Sequence, residues 1–342
     1  MNSSTSNSES VRKRAVNWLI LFGCVLTALI VALTTVNYFY ASRPQVVEAT
    51  EERQLTAYKI FAPERFDLVA SGSSRINFGI DPRSMQPFLP GLRIYNCAMF
   101  GGSVNREIMD FLEARKIDWN SAAPRIVLIE LSPRVMWTWL RGNKSYRSMI
   151  NKPPDEIRQL LNYSPKRRLS FHNLFIPMDR DRWNQRRDRP RASIPHCHVE
   201  SGWYEVVNIS EDCEKSIPHY LRKFNECPDM ARYNIEKSLA EILEKTRDWS
   251  SRGVMVFGVE PPIDRRIKEA EERVSGYDAD HIHELFREAG GIFIPIRGTY
   301  RAALGGSHME SEEAKAFSRE VAQASAAEYE RRTGTPLRAR RD

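Results

Sequence analysis

Residues Phe66 to Pro82 read FDLVASGSSRINFGIDP, and the reading of this stretch decides the fold. The apolar run Leu68-Val69-Ala70 ends abruptly in Gly72-Ser73-Ser74-Arg75, and Asn77, Gly79 and Asp81-Pro82 add further turn signals. A short buried strand running into a Gly-Ser turn is how α/β proteins bring a hydroxyl to the carboxyl edge of a sheet. Ser74 is the candidate hydroxyl.

Downstream of this stretch the pattern repeats. Apolar runs at Asp67–Ser71, Leu92–Asn96, Arg125–Glu130, Val254–Gly258 and Gly291–Pro295 predict five strands. Helical patterns at Val104–Lys116, Asp229–Trp249, Asp278–Glu288 and Glu310–Arg331 lie between or after them. Such alternation predicts a three-layer α/β/α domain over residues 66–330, with a parallel, flavodoxin-like sheet entered by right-handed crossovers. The segment Trp137 to Pro228 breaks the rhythm. It is basic, rich in Pro and Asn, and reads as an insertion after the third strand, with local helices such as Pro154–Leu161.

Upstream, Ala15 to Ser42 carry no charged side chain, and their centre LILFGCVLTALIVALTTV suits a helix crossing about 30 Å of hydrocarbon. Trp18 and Tyr38-Phe39-Tyr40 fit the interfacial aromatic positions of such a span. The apolar stretch exceeds the usual signal-peptide core, which favours an uncleaved anchor over a cleaved leader. Arg12-Lys13-Arg14 precede the span and only Arg43 closely follows it, which predicts a cytoplasmic N-terminus and a main domain on the periplasmic or extracellular side of the plasma (inner) membrane. Residues 1–14 read as a cytoplasmic tail, 43–65 as a polar stalk and 331–342 as a basic tail.

The 342 residues include 42% hydrophobic and 28% charged side chains, an ordinary globular balance. The net charge of +7 is concentrated at Arg12–Arg14, Arg182–Arg191 and Arg331–Arg341, without zinc-finger spacing or an RNA-binding aromatic signature, so nucleic acid is not an expected partner. In an oxidising compartment a disulfide is expected among Cys197, Cys213 and Cys227; Cys213 with Cys227 would close a loop of about 15 residues, worth on the order of 3 kcal/mol. His196, Cys197, His198 and Cys213 form the competing metal reading, but their spacing matches no zinc pattern. No cofactor is expected, since neither a Gly-x-Gly-x-x-Gly nor a P-loop follows the first strand.

In an open parallel sheet, ligands bind beyond the carboxyl ends of the strands. The turns expected there carry Ser74 and Arg75, then Asn96 to Ser103 with Gly101 and Gly102, then Ser132 and Arg134, then Glu260, and finally Gly305-Gly306-Ser307-His308. A hydroxyl, a glycine turn with free N–H groups and an imidazole are what acyl transfer needs. Ser74 is the candidate nucleophile and His308 its base, with the Ser74 and Gly101 N–H groups as oxyanion donors. Arg75, Asn96, Ser132 and Arg134 are candidate substrate contacts. Trp137 and Trp139 could stack on a sugar ring or pack in the core.

These blocks resemble the SGNH or GDSL-like hydrolases, in particular the membrane-anchored extracytoplasmic branch concerned with polysaccharide O-acetylation and teichoic acid D-alanyl transfer. Gly72-Ser73-Ser74 matches the first block with Ser73 in place of its aspartate, and Asn96 to Gly101 matches the second. The third block's asparagine has no counterpart in Glu130-Leu131-Ser132-Pro133, and Gly305 stands where the last block has its acid before His308. The resemblance implies an acyl esterase or O-acetyltransferase working on an envelope or exported polysaccharide, with a membrane acyltransferase as a candidate partner. The two departures leave a Ser-His dyad, or a carboxylate borrowed from Glu260, Asp264 or Glu310, and they motivate a competing expectation: a catalytically inactive scaffold or binding module of the same fold.

Overall fold

A computed structural model of the chain describes residues 5–41, 45–136, 144–162, 194–207, 216–218, 220–222 and 228–337. The chain divides into two units, residues 1–51 with 163–188, and residues 52–162 with 189–342. The described part of the first unit is helical: α1 covers Thr5–Ala41, and α2 begins at Gln45. Within α1 the 20 residues Val16–Thr35 have a mean hydropathy of 2.4 and none is buried, so this helix is long and apolar enough to cross a membrane.

The second unit is built on a five-stranded parallel sheet in the order β2-β1-β3-β6-β7. In chain order its elements are the end of α2 (to Phe61), β1 (Leu68–Ser71), α3 (Ser74–Gly79), α4 (Pro82–Met85), β2 (Ile94–Asn96), α5 (Arg106–Arg115), β3 (Arg125–Glu130), α6 (Pro133–Met136), α7 (Lys144–Ile150) and α8 (Pro154–Leu161). There follow β4 (Ile194–His198), β5 (Trp203–Val207), α9 (Pro228–Ser251), β6 (Val254–Val259), α10 (Arg265–Ser275), α11 (Ala279–Glu288), β7 (Ile292–Ile294) and α12 (Ser311–Thr333). Counted among sheet strands alone, the order is 2-1-3-4-5, the doubly wound flavodoxin-like arrangement.

Strand periodicity of two explains the layers. Val69, Val127, Ile129, Val254 and Val256 point into one core with α2, α5, α9 and α11; Leu68, Ala70, Ile126, Leu128, Phe257 and Val259 point into the other with α3, α4 and α12. The strand interiors are therefore apolar on both faces rather than alternating, with polar residues such as Asn96 and Glu130 at the ends, as a doubly covered parallel sheet requires.

Several expectations need correction. The stretch 43–65 is not a stalk over its whole length: Leu55, Ala57, Lys59 and Ile60 of α2 are buried, and Lys59 Nζ donates to Asn77 Oδ1 at 2.6 Å and to the Ala98 carbonyl. The folded unit thus takes in α2 from Glu52. Helix α10 has no counterpart among the helical patterns above, because its apolar stripe is only Ile267, Ala270 and Val274 in a run of charges. The insertion also holds a strand pair that the local-helix reading did not include: β4 and β5 form an antiparallel hairpin, and residues 216–218 and 220–222 are helical. Trp203 is fully buried and its indole N–H donates to the Phe78 carbonyl at 2.8 Å. Cys24 and Cys97 are free thiols. Cys213, Cys227, Trp137, Trp139, His172, His219 and Arg182–Arg191 lie outside the described residues.

Candidate active site

At the carboxyl end of β1 the chain turns at Gly72 and enters α3. Ser73 is the N-cap, its Oγ accepting from Arg75 N at 3.1 Å, so Ser74 becomes the first helical residue at the rim of the sheet. The turn has little freedom. A Cβ at Gly72 would come within 2.7 Å of Glu130 Oε2, and Glu130 itself accepts from Ser73 N (2.7 Å), Ser73 Oγ (2.8 Å) and Ser132 Oγ (2.7 Å). This carboxylate stitches the turn after β1 to the turn after β3, its neighbour in the sheet.

The imidazole arrives from the far end of the chain. Leu304 and His308 exchange backbone hydrogen bonds of 3.1 and 3.2 Å around a tight turn in which Gly305 and Gly306 have φ of 60° and 70°. Only glycine takes both positions at no steric cost. Asp264 N, at the start of α10, donates to Gly306 O at 2.7 Å and pins the turn. His308 Nε2 then stands 2.8 Å from Ser74 Oγ, across 234 positions of sequence. Its Nδ1 faces Ser307 Oγ at 3.1 Å, and among the described residues no carboxylate reaches it. The three carboxylates that could have done so are otherwise placed. Glu260 binds Lys268 and Asp264 binds Arg266, while Glu310 is the residue before α12 and makes no side-chain cap. Burial, then the nearby charges of Arg75 and Arg134, push His308 down to about 3, so the half-buried ring is neutral through the neutral range.

The second glycine turn packs against the first. Met99 N donates to Gly72 O, Gly102 N donates to Met99 O at 3.0 Å, and a Cβ at Gly102 would lie 2.7 Å from Gly72 O. Gly101 has φ of 59° with open space where a Cβ would stand, so backbone conformation rather than crowding calls for glycine. Neither the Ser74 nor the Gly101 N–H meets an acceptor among the described residues.

Of the four expected substrate contacts, three are spent elsewhere. Asn96 is fully buried: its Nδ2 donates to the carbonyls of Ile76 and Ile80 at 2.8 Å each, and its Oδ1 accepts from Ala98 N, which clamps α3 to β2. The Ser132 hydroxyl is given to Glu130. Arg75 is buried in a bidentate pair with Glu271 at 3.0 and 2.6 Å. Arg134 alone is left half-buried with no hydrogen bond or ion pair among the described residues.

An aromatic wall flanks the histidine. Phe78 packs on His308 with ring centroids 4.6 Å apart and meets Tyr204 at 4.9 Å and Phe100 at 5.5 Å; Phe100 and Tyr204 are edge-to-face at 4.8 Å. Tyr204 comes from β5, inside the insertion. The aromatic and β-branched run Trp203-Tyr204-Glu205-Val206-Val207 is the available signal for a strand there. Beside the wall, Glu205 accepts from Ser311 Oγ at 2.5 Å and faces His198 Nε2 at 2.7 Å, which fastens the hairpin to the start of α12 just after His308. Searches against protein-family models, curated proteins and solved structures return no match to this chain.

Proposed function

We propose that this chain is a membrane-anchored serine acyl esterase or O-acyltransferase, acting on an acyl ester, with acetyl as the expected group, of an envelope or exported polysaccharide. The 2.8 Å approach of His308 Nε2 to Ser74 Oγ carries the reading. In the reaction Ser74 Oγ attacks the acyl carbonyl while His308 Nε2 takes the hydroxyl proton. The oxyanion forms against the N–H groups of Ser74 and Gly101. The proton passes from His308 to the leaving alcohol, and water or a sugar hydroxyl then accepts the acyl group from Ser74 by the reverse steps. The resemblance of Gly72-Ser73-Ser74 and of Asn96 to Gly101 to the first two SGNH blocks, with His308 before the last helix, supports the assignment, and Arg12-Lys13-Arg14 before the apolar helix supports an external domain. Incubation of the detergent-solubilised protein with a fluorophosphonate probe tests it: labelling of the wild type that is lost in Ser74→Ala and reduced in His308→Ala is expected, and an unlabelled wild type that also fails to cleave acetyl esters ends the enzymatic reading.

One observation favours a second reading, a non-catalytic scaffold of the same fold. Among the described residues no carboxylate orients the His308 ring, and two arginines oppose the imidazolium that base catalysis must form. Losing the orienting acid of a serine triad costs about 10⁴ in turnover. If cells carrying Ser74→Ala or His308→Ala acetylate their polymer at the wild-type level, the scaffold reading replaces the enzyme.

A further inference from the structure

The cations at this end of the sheet are nearly all neutralised. Arg75 gives both its terminal nitrogens to Glu271, and Lys268 pairs with Glu260 at 2.9 Å. Arg134 differs. It sits in α6, at the carboxyl end of β3 and two residues after the Ser132 that Glu130 ties to the Ser74 turn. Among the described residues the acidic groups close enough to act on it are Glu271 and Glu130, with Tyr220 beside them, while the charge of Arg75 opposes its own. Glu271 is occupied by Arg75, and both oxygens of Glu130 are held by Ser73 and Ser132. A guanidinium cannot shed its charge as a lysine can, so a half-buried and unpaired one is held at a cost. Its planar fork of donors matches a carboxylate or phosphate through two parallel hydrogen bonds.

We propose that Arg134 is the anion receptor of the Ser74–His308 site: the ligand carries a carboxylate or phosphate that pairs with Arg134 while its acyl ester, or the hydroxyl that accepts the acyl group, lies at Ser74. The proposal rests on the acyl-transfer reading for its second half only; the anion site stands on the unpaired guanidinium. It also gives a reason why no carboxylate among the described residues meets His308. A bound anion neutralises one of the two positive charges that oppose protonation of His308, so the charged substrate itself favours the imidazolium.

Matched acetyl esters of a neutral hexose, a hexuronic acid and a hexose phosphate, offered to the full-length protein in detergent, test this. The ratio of kcat/KM for each charged ester to that for the neutral one is expected to exceed unity in the wild type, and to fall about tenfold to a hundredfold in Arg134→Gln, the range for a charge-assisted pair. Arg134→Lys, which keeps the charge and loses the fork, is expected to fall between. The uronate and phosphate arms tell which anion fits. Turnover of all three esters at equal kcat/KM, or equal losses on all three in a variant whose thermal unfolding matches the wild type, overturns the proposal while leaving the esterase reading in place. If no ester turns over, calorimetric binding of the uronic acid, the sugar phosphate and the neutral hexose decides it alone. Selective binding of an anion that Arg134→Gln abolishes sustains the receptor without the enzyme, and no selective binding refutes it.

Discussion

The Glu130 carboxylate faces inward and accepts three hydrogen bonds from Ser73 and Ser132. Glu130→Ala would strand a buried N–H and two hydroxyls at a cost of about 1–3 kcal/mol for each group left unsatisfied. Chemical denaturation of that variant should show a loss above 2 kcal/mol, and fluorophosphonate labelling of Ser74 should slow with it. His308 yields a pH prediction. Its folded value, about 3, lies below the ordinary 6.5, so the unfolded chain binds the proton more readily and stability declines as pH falls from 6.5 toward 3. His283, half-buried and lowered by burial to about 4, acts in the same direction. The melting temperature of the wild type should therefore drop between pH 6.5 and 4.5, and His308→Asn should drop less; equal slopes in the two proteins would contradict the placement of the ring. Ser74 and His308 were both legible as residue types after strands. Which of the neighbouring polar side chains remained free was not, because Arg75 meets Glu271 across 196 positions and no local pattern marks that meeting.

Among the elements, the β4–β5 hairpin is the one the sequence least announced. Its basic, Pro-rich surroundings mask a strand whose buried Trp203 carries the contact to α3, between the side chains of Arg83 and Lys315. Because α3 begins at Ser74, the hairpin braces the helix that carries Ser74 from outside the sheet. Trp203→Ala should cost about 3–5 kcal/mol, the range for a buried tryptophan, and should expose the hairpin to proteolysis before the sheet unfolds. Cleavage of the variant no faster than wild type would show that the hairpin holds without its anchor. Helix α10 escaped notice for the opposite reason, being too charged to display a stripe, although Arg75, Gly306 and the cluster around Ile217 all depend on it.

For the molecule as a whole, α2 joins the segment next to the apolar helix to the folded unit. Lys59 is fully buried, and burial lowers it to about 7, so the ammonium and its neutral form are close in energy there. It donates to Asn77 in α3 and to Ala98 at the start of the glycine turn, reaching the backs of both site loops from one side chain. A chain starting at residue 45 should fold, whereas one starting at residue 66 should lose several kcal/mol, since Leu55 and Ile60 alone bury about 1.5–3 kcal/mol each. Equal melting temperatures for the two would show that α2 is a tether after all.

The amino-acid sequence by itself determined the five strands, the doubly covered parallel sheet, the apolar helix of α1, and a serine and a histidine at strand ends. These are consequences of short-range periodicity and turn chemistry, which each segment carries within itself. Only the tertiary structure decided that Asn96, Ser132 and Arg75 are consumed inside the protein, that Arg134 is left over, that α2 belongs to the core and that the insertion walls the site. A polar group's role depends on which partner folding brings to it, and that partner is set by packing between segments that lie as much as two hundred residues apart.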